Sequence, residues 1–216
     1  MYERSLSTPR PGSLVGKVLG YVAAAMGVSA VAALAAPAVP RGLSLILMLL
    51  AIVGVFALNW VKDKPGINLA VYFFVAAALG LGVGAIIDTY VAAGLGSIVV
   101  DAAATTAVIS LGAGYYGYTT NRDLSRLGSI LFIALIGVVV ASIIGIFVHL
   151  PLFGLLISAA AAAVFTGYIV YDINRTVHAE AATEGDAIVL AMSIYLDLVN
   201  LFLAILRILG YFSGRE

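Results

Sequence analysis

The sequence predicts an all-α, polytopic membrane protein of seven transmembrane helices. Two observations carry that expectation. The chain of 216 residues is 63% hydrophobic and 10% charged, with a mean hydropathy of +1.14, whereas soluble domains carry about 25% charged residues. Its apolar residues are gathered into seven runs, near 17–36, 43–61, 68–87, 95–118, 127–149, 152–174 and 187–212. Each run is long enough to cross a hydrocarbon core as a helix.

Residues 1–16, polar and carrying Pro9 and Pro11, read as a cytoplasmic tail ahead of a single seven-helix domain over 17–216. No apolar run flanked by basic residues and a cleavage site is evident there, so no signal peptide is expected. Pro37, Pro40 and Arg41 close the first helix, and Lys62, Asp63, Lys64 and Pro65 close the second. Proline cannot continue the helical ladder, and charges are costly in hydrocarbon. The third helix carries Gly80 and Gly84 at G-x-x-x-G spacing, and the fourth carries Gly112 and Gly114. Both are read as faces where neighbouring backbones approach closely. The break between them is placed near 88–96, with Asp88 in the loop and Asp101 near the outer interface, in contact with water. The stretch 119–126 separates the fourth and fifth helices, with Asp123 or Ser125 as N-cap. His149 and Pro151 mark a short turn into the sixth helix, and the polar stretch 178–186 joins the sixth to the seventh.

Basic residues are retained on the cytoplasmic side of a membrane. Arg4, Arg10, Lys17, Lys62, Lys64, Arg122, Arg126 and Arg175 fall on one side under this segmentation, against Arg41, Arg207 and Arg215 on the other. The N-terminus is therefore expected in the cytoplasm and the C-terminus outside. A net charge of zero gives no reason to expect nucleic acid as a partner. The absence of cysteine excludes disulfides and thiolate chemistry. No nucleophile elbow or phosphate loop is present, and His149 and His178 are expected on opposite membrane faces, so neither an enzyme nor a bound cofactor is expected. All three lysines, Lys17, Lys62 and Lys64, lie outside the last helix, which excludes a retinal Schiff base there.

The chemistry is concentrated in the last two helices. In the seventh, Asp186, Ser193, Asp197, Asn200, Ala204 and Arg207 fall on one narrow stripe at about 100° per residue. The other faces are Leu, Ile, Val, Phe and Tyr. A carboxylate in mid-membrane costs about 3 kcal/mol on insertion scales, so Asp197 needs a partner or a function. Asp172 lies in the sixth helix beside Tyr171 and Asn174. A turn centred on Glu184 and Gly185 would set Asp172 and Asp197 level on adjacent antiparallel helices. As hard oxygen donors, the two carboxylates are also candidate ligands for a hard cation. Tyr168, Tyr171, Tyr195 and Tyr211 are either hydrogen-bond partners or interface anchors.

Taken together, these segments resemble the Bax inhibitor-1 family, the transmembrane BAX-inhibitor-motif group, and its bacterial members above all. The carriers are Tyr171, Asp172, Ile173 and Asn174; Ser193, Tyr195, Asp197, Asn200 and Phe202 with Leu206, Leu209 and Gly210; Thr105 and Thr106; and the turn from Thr120 to Gly128. The resemblance implies a bundle in which the last helix is surrounded by the other six, set in a bacterial cell membrane. It also implies a pH-sensitive calcium leak, with Asp172 and Asp197 as proton sensor and ion pathway. Ser193, Asn200, Arg207 and Tyr171 would support the pair. Relatives can place a latching arginine at the end of the second helix; here Lys62 stands in that region, a point charge without a bidentate fork. Other bacterial members are linked to a membrane-bound AAA protease as substrates or modulators. The alternative reading is therefore a non-transporting regulatory protein that interacts with such a protease. On either reading the partners are the lipid bilayer, protons and calcium ions, or the protease.

Overall fold

The computed structural model describes residues 11–148, 150–179 and 182–214. The described residues form seven long helices: α1 (Pro11–Ala35), α2 (Arg41–Val61), α3 (Ile67–Ala92), α4 (Gly96–Thr119), α5 (Ser125–Phe147), α6 (Pro151–Val177) and α7 (Glu184–Ser213), with a single 3-10 turn at Ala36–Ala38. Each holds an apolar span of 20 to 30 residues, so the seven-span reading stands. The segment boundaries shift in three places. α1 starts at Pro11, inside the stretch read as tail, because proline lacks only an N–H that the first helical turn leaves unpaired anyway. Lys17 therefore lies six residues inside the helix rather than at its edge. α3 runs on through Asp88 to Ala92, and Asp88 stays solvent-accessible on its last turns. The connection between α6 and α7 is 178–183, earlier than the expected turn at Glu184 and Gly185. A capping box fixes the start of α7: Thr183 Oγ1 accepts from the Asp186 N–H, and the Asp186 carboxylate accepts from the Thr183 N–H. His149, Arg4, Arg10 and Arg215 lie outside the described residues.

α7 is the axis of the bundle. It packs against α6, α4, α1, α3 and α2, while α5 packs on α6. Thirteen of the 30 residues of α7 are buried inside the protein, against one of the 23 of α5. The fifth helix thus stands outside the ring. Leu49, Phe56 and Trp60 on α2, and Ile133, Ile146 and Phe147 on α5, are exposed. In a membrane protein such a surface faces lipid.

Small residues set two of the helix contacts. A Cβ on Gly80 would lie 2.6 Å from Ser29 Cα, and one on Gly84 2.6 Å from Ala33 Cα. The G-x-x-x-G of α3 is the seat of α1. Gly112 and Gly114 do no such work, since a Cβ there meets nothing within 4 Å. On α4 the close approach is at Gly117, where a Cβ would come 3.1 Å from Val170 Cα of α6. The side chain of Asn174 adds hydrogen bonds to the Gly117 and Thr120 carbonyls at 3.3 and 3.2 Å, fastening α6 to the end of α4. Between α4 and α5, the Asp123 carboxylate accepts the Ser125 N–H at 2.9 Å. That backbone bond, with help from the Ser125 hydroxyl and Arg126, holds the carboxyl below its usual range.

Candidate functional site: a buried carboxyl pair

Asp172 of α6 and Asp197 of α7 meet inside the bundle. They are 2% and 5% exposed, and their carboxyl groups lie within hydrogen-bonding reach of each other. The contact does not come from the level register that a turn at Glu184 would give. Five residues separate Asp172 from the end of α6 at Val177, but nine separate the start of α7 at Glu184 from Ser193, and thirteen separate it from Asp197. α7 therefore projects further than α6 at this end. Side-chain direction closes the offset, because each Cα–Cβ bond tilts toward its own helix N-terminus. On antiparallel helices that tilts Asp172 up toward Asp197, and Asp197 down toward Asp172.

Ser193, one turn before Asp197, donates its hydroxyl to Asp172 Oδ2. Tyr168, one turn before Asp172, lies within electrostatic reach of both carboxyls. Arg175 acts on Asp172 from one turn further along α6, at an exposed position. Asp197 Oδ2 is buried and lacks a hydrogen-bond partner. Among the described residues no third His, Cys, Asp or Glu joins the pair to complete a metal-binding group. Two ionised carboxylates in contact and away from water repel. The arrangement is relieved by a proton or a cation held between the oxygens, or by separation of α6 from α7.

The structure sorts the other expected residues. Ser193 belongs to the pair. Tyr171 lies over α5, its ring filling the space a Cβ on Gly128 would need. The Asn200 amide donates to the Leu196 carbonyl at 2.8 Å, a bond within its own helix. Arg207 is exposed near the far end of α7. Lys62 does not reach the carboxyl pair. It caps α2, and its ammonium sits 2.7 Å from Asp186 on the first turn of α7, eleven residues or about 16 Å along the helix from Asp197. That hydrogen bond and the Asp186 charge hold the Lys62 ammonium above its ordinary range. Of the tyrosines left open by the sequence, Tyr195 is fully buried with its hydroxyl 2.7 Å from Ser29 Oγ of α1. It is a hydrogen-bond partner, not an interface anchor.

Known proteins place the chain among relatives. The family profile described as "Inhibitor of apoptosis-promoting Bax1" matches residues 12–214. An uncharacterized protein of Helicobacter pylori strain J99 is 39% identical over 166 residues, covering 76% of this chain and 70% of the relative. An uncharacterized membrane protein of Vibrio cholerae is 35% identical over 193 residues, 87% of this chain and 84% of the relative. The Modulator of FtsH protease YccA of Escherichia coli K12 is 30% identical over 170 residues, 77% of this chain and 76% of the relative. A seven-helix bundle built around its last helix, a family profile that spans all seven helices, and bacterial relatives matched over most of their length agree: the chain is an integral membrane protein of the Bax inhibitor-1 family.

Proposed function

We propose that this chain is a membrane regulatory protein that engages a membrane-bound AAA protease. The observation that carries the reading is its 30% identity, over three-quarters of both chains, to a relative named as a modulator of FtsH protease. The buried carboxyl pair between α6 and α7 gives such a regulator a means of changing shape, because its contact depends on what is held between the oxygens. The membrane is the bacterial inner membrane, as the E. coli O6:H1 relative named an inner membrane protein supports. The N-terminus is cytoplasmic and the C-terminus outside, from the basic residues; labelling from outside of a single cysteine added at the N-terminus of intact cells would reverse that orientation.

One observation favours a second reading, a pH-sensitive calcium leak. The Asp197 carboxyl, one oxygen of which has no hydrogen-bond partner, interacts with that of Asp172, and carboxylate oxygens suit calcium. Protons and calcium would then compete for one site. Purified protein in liposomes holding a calcium dye, assayed beside co-purification with a membrane AAA protease, separates the two. Protease capture without flux supports the regulator. Flux that falls on Asp197→Asn substitution, without protease capture, supports the leak.

A further inference from the structure

We infer that the first turn of α7 is held by a charged clasp, and that the clasp sets the axial position of α7 and so brings Asp197 onto Asp172. The clasp has two arms. Glu184 takes a salt bridge from Lys17 of α1 and the hydroxyl hydrogen bond of Tyr21, one turn further along α1. Asp186 takes the Lys62 ammonium at 2.7 Å from the end of α2. Behind the arms the backbones touch: a Cβ on Gly185 would come 2.7 Å from the Lys62 carbonyl carbon, and the same carbonyl accepts from Asn68 of α3 at 2.8 Å. Tyr72 of α3 in turn donates to the Tyr21 carbonyl at 2.8 Å. The first turn of α7 is thus tied to α1, α2 and α3 together.

The carboxyl pair lies where this assembly meets a second one. Asp172 rides on α6, which Asn174 and the Gly117 contact fasten to α4. Asp197 rides on α7, whose sequence has no glycine or proline between Gly185 and Gly210. A shift of its first turn is therefore carried along a continuous helix to Asp197, without a hinge to absorb it. The arms are open to solvent, with side chains about half exposed at Lys17 and Glu184 and one-third exposed at Lys62 and Asp186, so salt and partner charges can reach them. The inference stands apart from both functional readings.

Spin labels on the exposed positions of Asp101→Cys and Arg207→Cys, in this otherwise cysteine-free chain, report the position of α7 against α4 in bilayers. The clasp predicts one distance population in the parent. Lys17→Gln with Lys62→Gln should add a second population of comparable size, and Gly185→Ala, which has no room for its Cβ, should do the same. The charge exchange Lys17→Glu with Glu184→Lys, with Lys62 intact, should return the parent distribution. High salt should shift the parent toward the second population. An unchanged distance in the Lys17→Gln, Lys62→Gln and Gly185→Ala proteins, each monodisperse and membrane-inserted, would overturn the clasp.

Discussion

Asp172→Asn and Asp197→Asn should each abolish most of the pH response of the reconstituted protein, and the double variant should add little. The reason is the contact itself. Each carboxyl faces the other, with the Ser193 hydroxyl on Asp172 and Tyr168 and Arg175 within electrostatic reach. Asparagine keeps the size and shape of aspartate but neither binds the proton nor carries the charge. One asparagine is therefore enough to remove the repulsion and the bridging proton together. The asparagine amide can still donate to the remaining carboxylate, so what the variant loses is the pH-dependent repulsion, and the balance between joined and separated helices should no longer shift where the wild-type pair ionises. Asp101→Asn is the comparison. Asp101 is exposed on α4 and should change the response little. The readout is calcium flux against pH, or protease capture against pH if no flux exists. Equal effects from Asp101 and Asp197 would show that the sensor has been misplaced.

Gly84→Ala should destabilise the bundle by about 1–3 kcal/mol, the range for forcing extra atoms into a packed interior, and Gly84→Leu by more. The new Cβ would lie 2.6 Å from Ala33 Cα. Backbone cannot rotate out of the way as a side chain can, so α1 has to move off α3. Gly112→Ala is the control, since its Cβ meets open space and alanine is the better helix former. It should be neutral or slightly stabilising. Thermal unfolding in detergent, followed by helical circular dichroism, separates the two substitutions; a loss at Gly112 as large as that at Gly84 would mean that the glycines act through helix propensity rather than through the α1–α3 contact.

The spans were legible because the bilayer imposes a length and a composition on each of them, and the turns between them are charged or carry proline. The carboxyl pair was legible for a related reason: an aspartate in an apolar run stands out, and helical period puts Asp197 and Ser193 on one face. What escaped the sequence was set by tertiary contact. Lys17 and Glu184 are 167 positions apart, and no local pattern announces their meeting; Lys17 read simply as an inner-face charge. Family resemblance sets Lys62 where relatives can place a latching arginine, while the capping box at Thr183 starts α7 early enough to present Asp186 to it instead. The glycines show the same limit. The spacing of Gly80 and Gly84 marked a real helix contact, but Gly112 and Gly114 looked equally apt, and only the position of α6 explains why Gly117 is the one used.

Asp172 and Asp197, buried in contact, are expected to titrate as one unit, and the most direct test is an infrared titration of the carboxyl stretch in bilayers. Wild type, Asp172→Asn, Asp197→Asn and the double variant would be followed across the full pH range. Two coupled groups give macroscopic steps that belong to the pair. The account predicts that replacing either aspartate displaces the titration of the one that remains, so that the two single-variant curves do not sum to the wild-type curve. Single-variant curves that sum to the wild-type curve would show two independent carboxyls and contradict it.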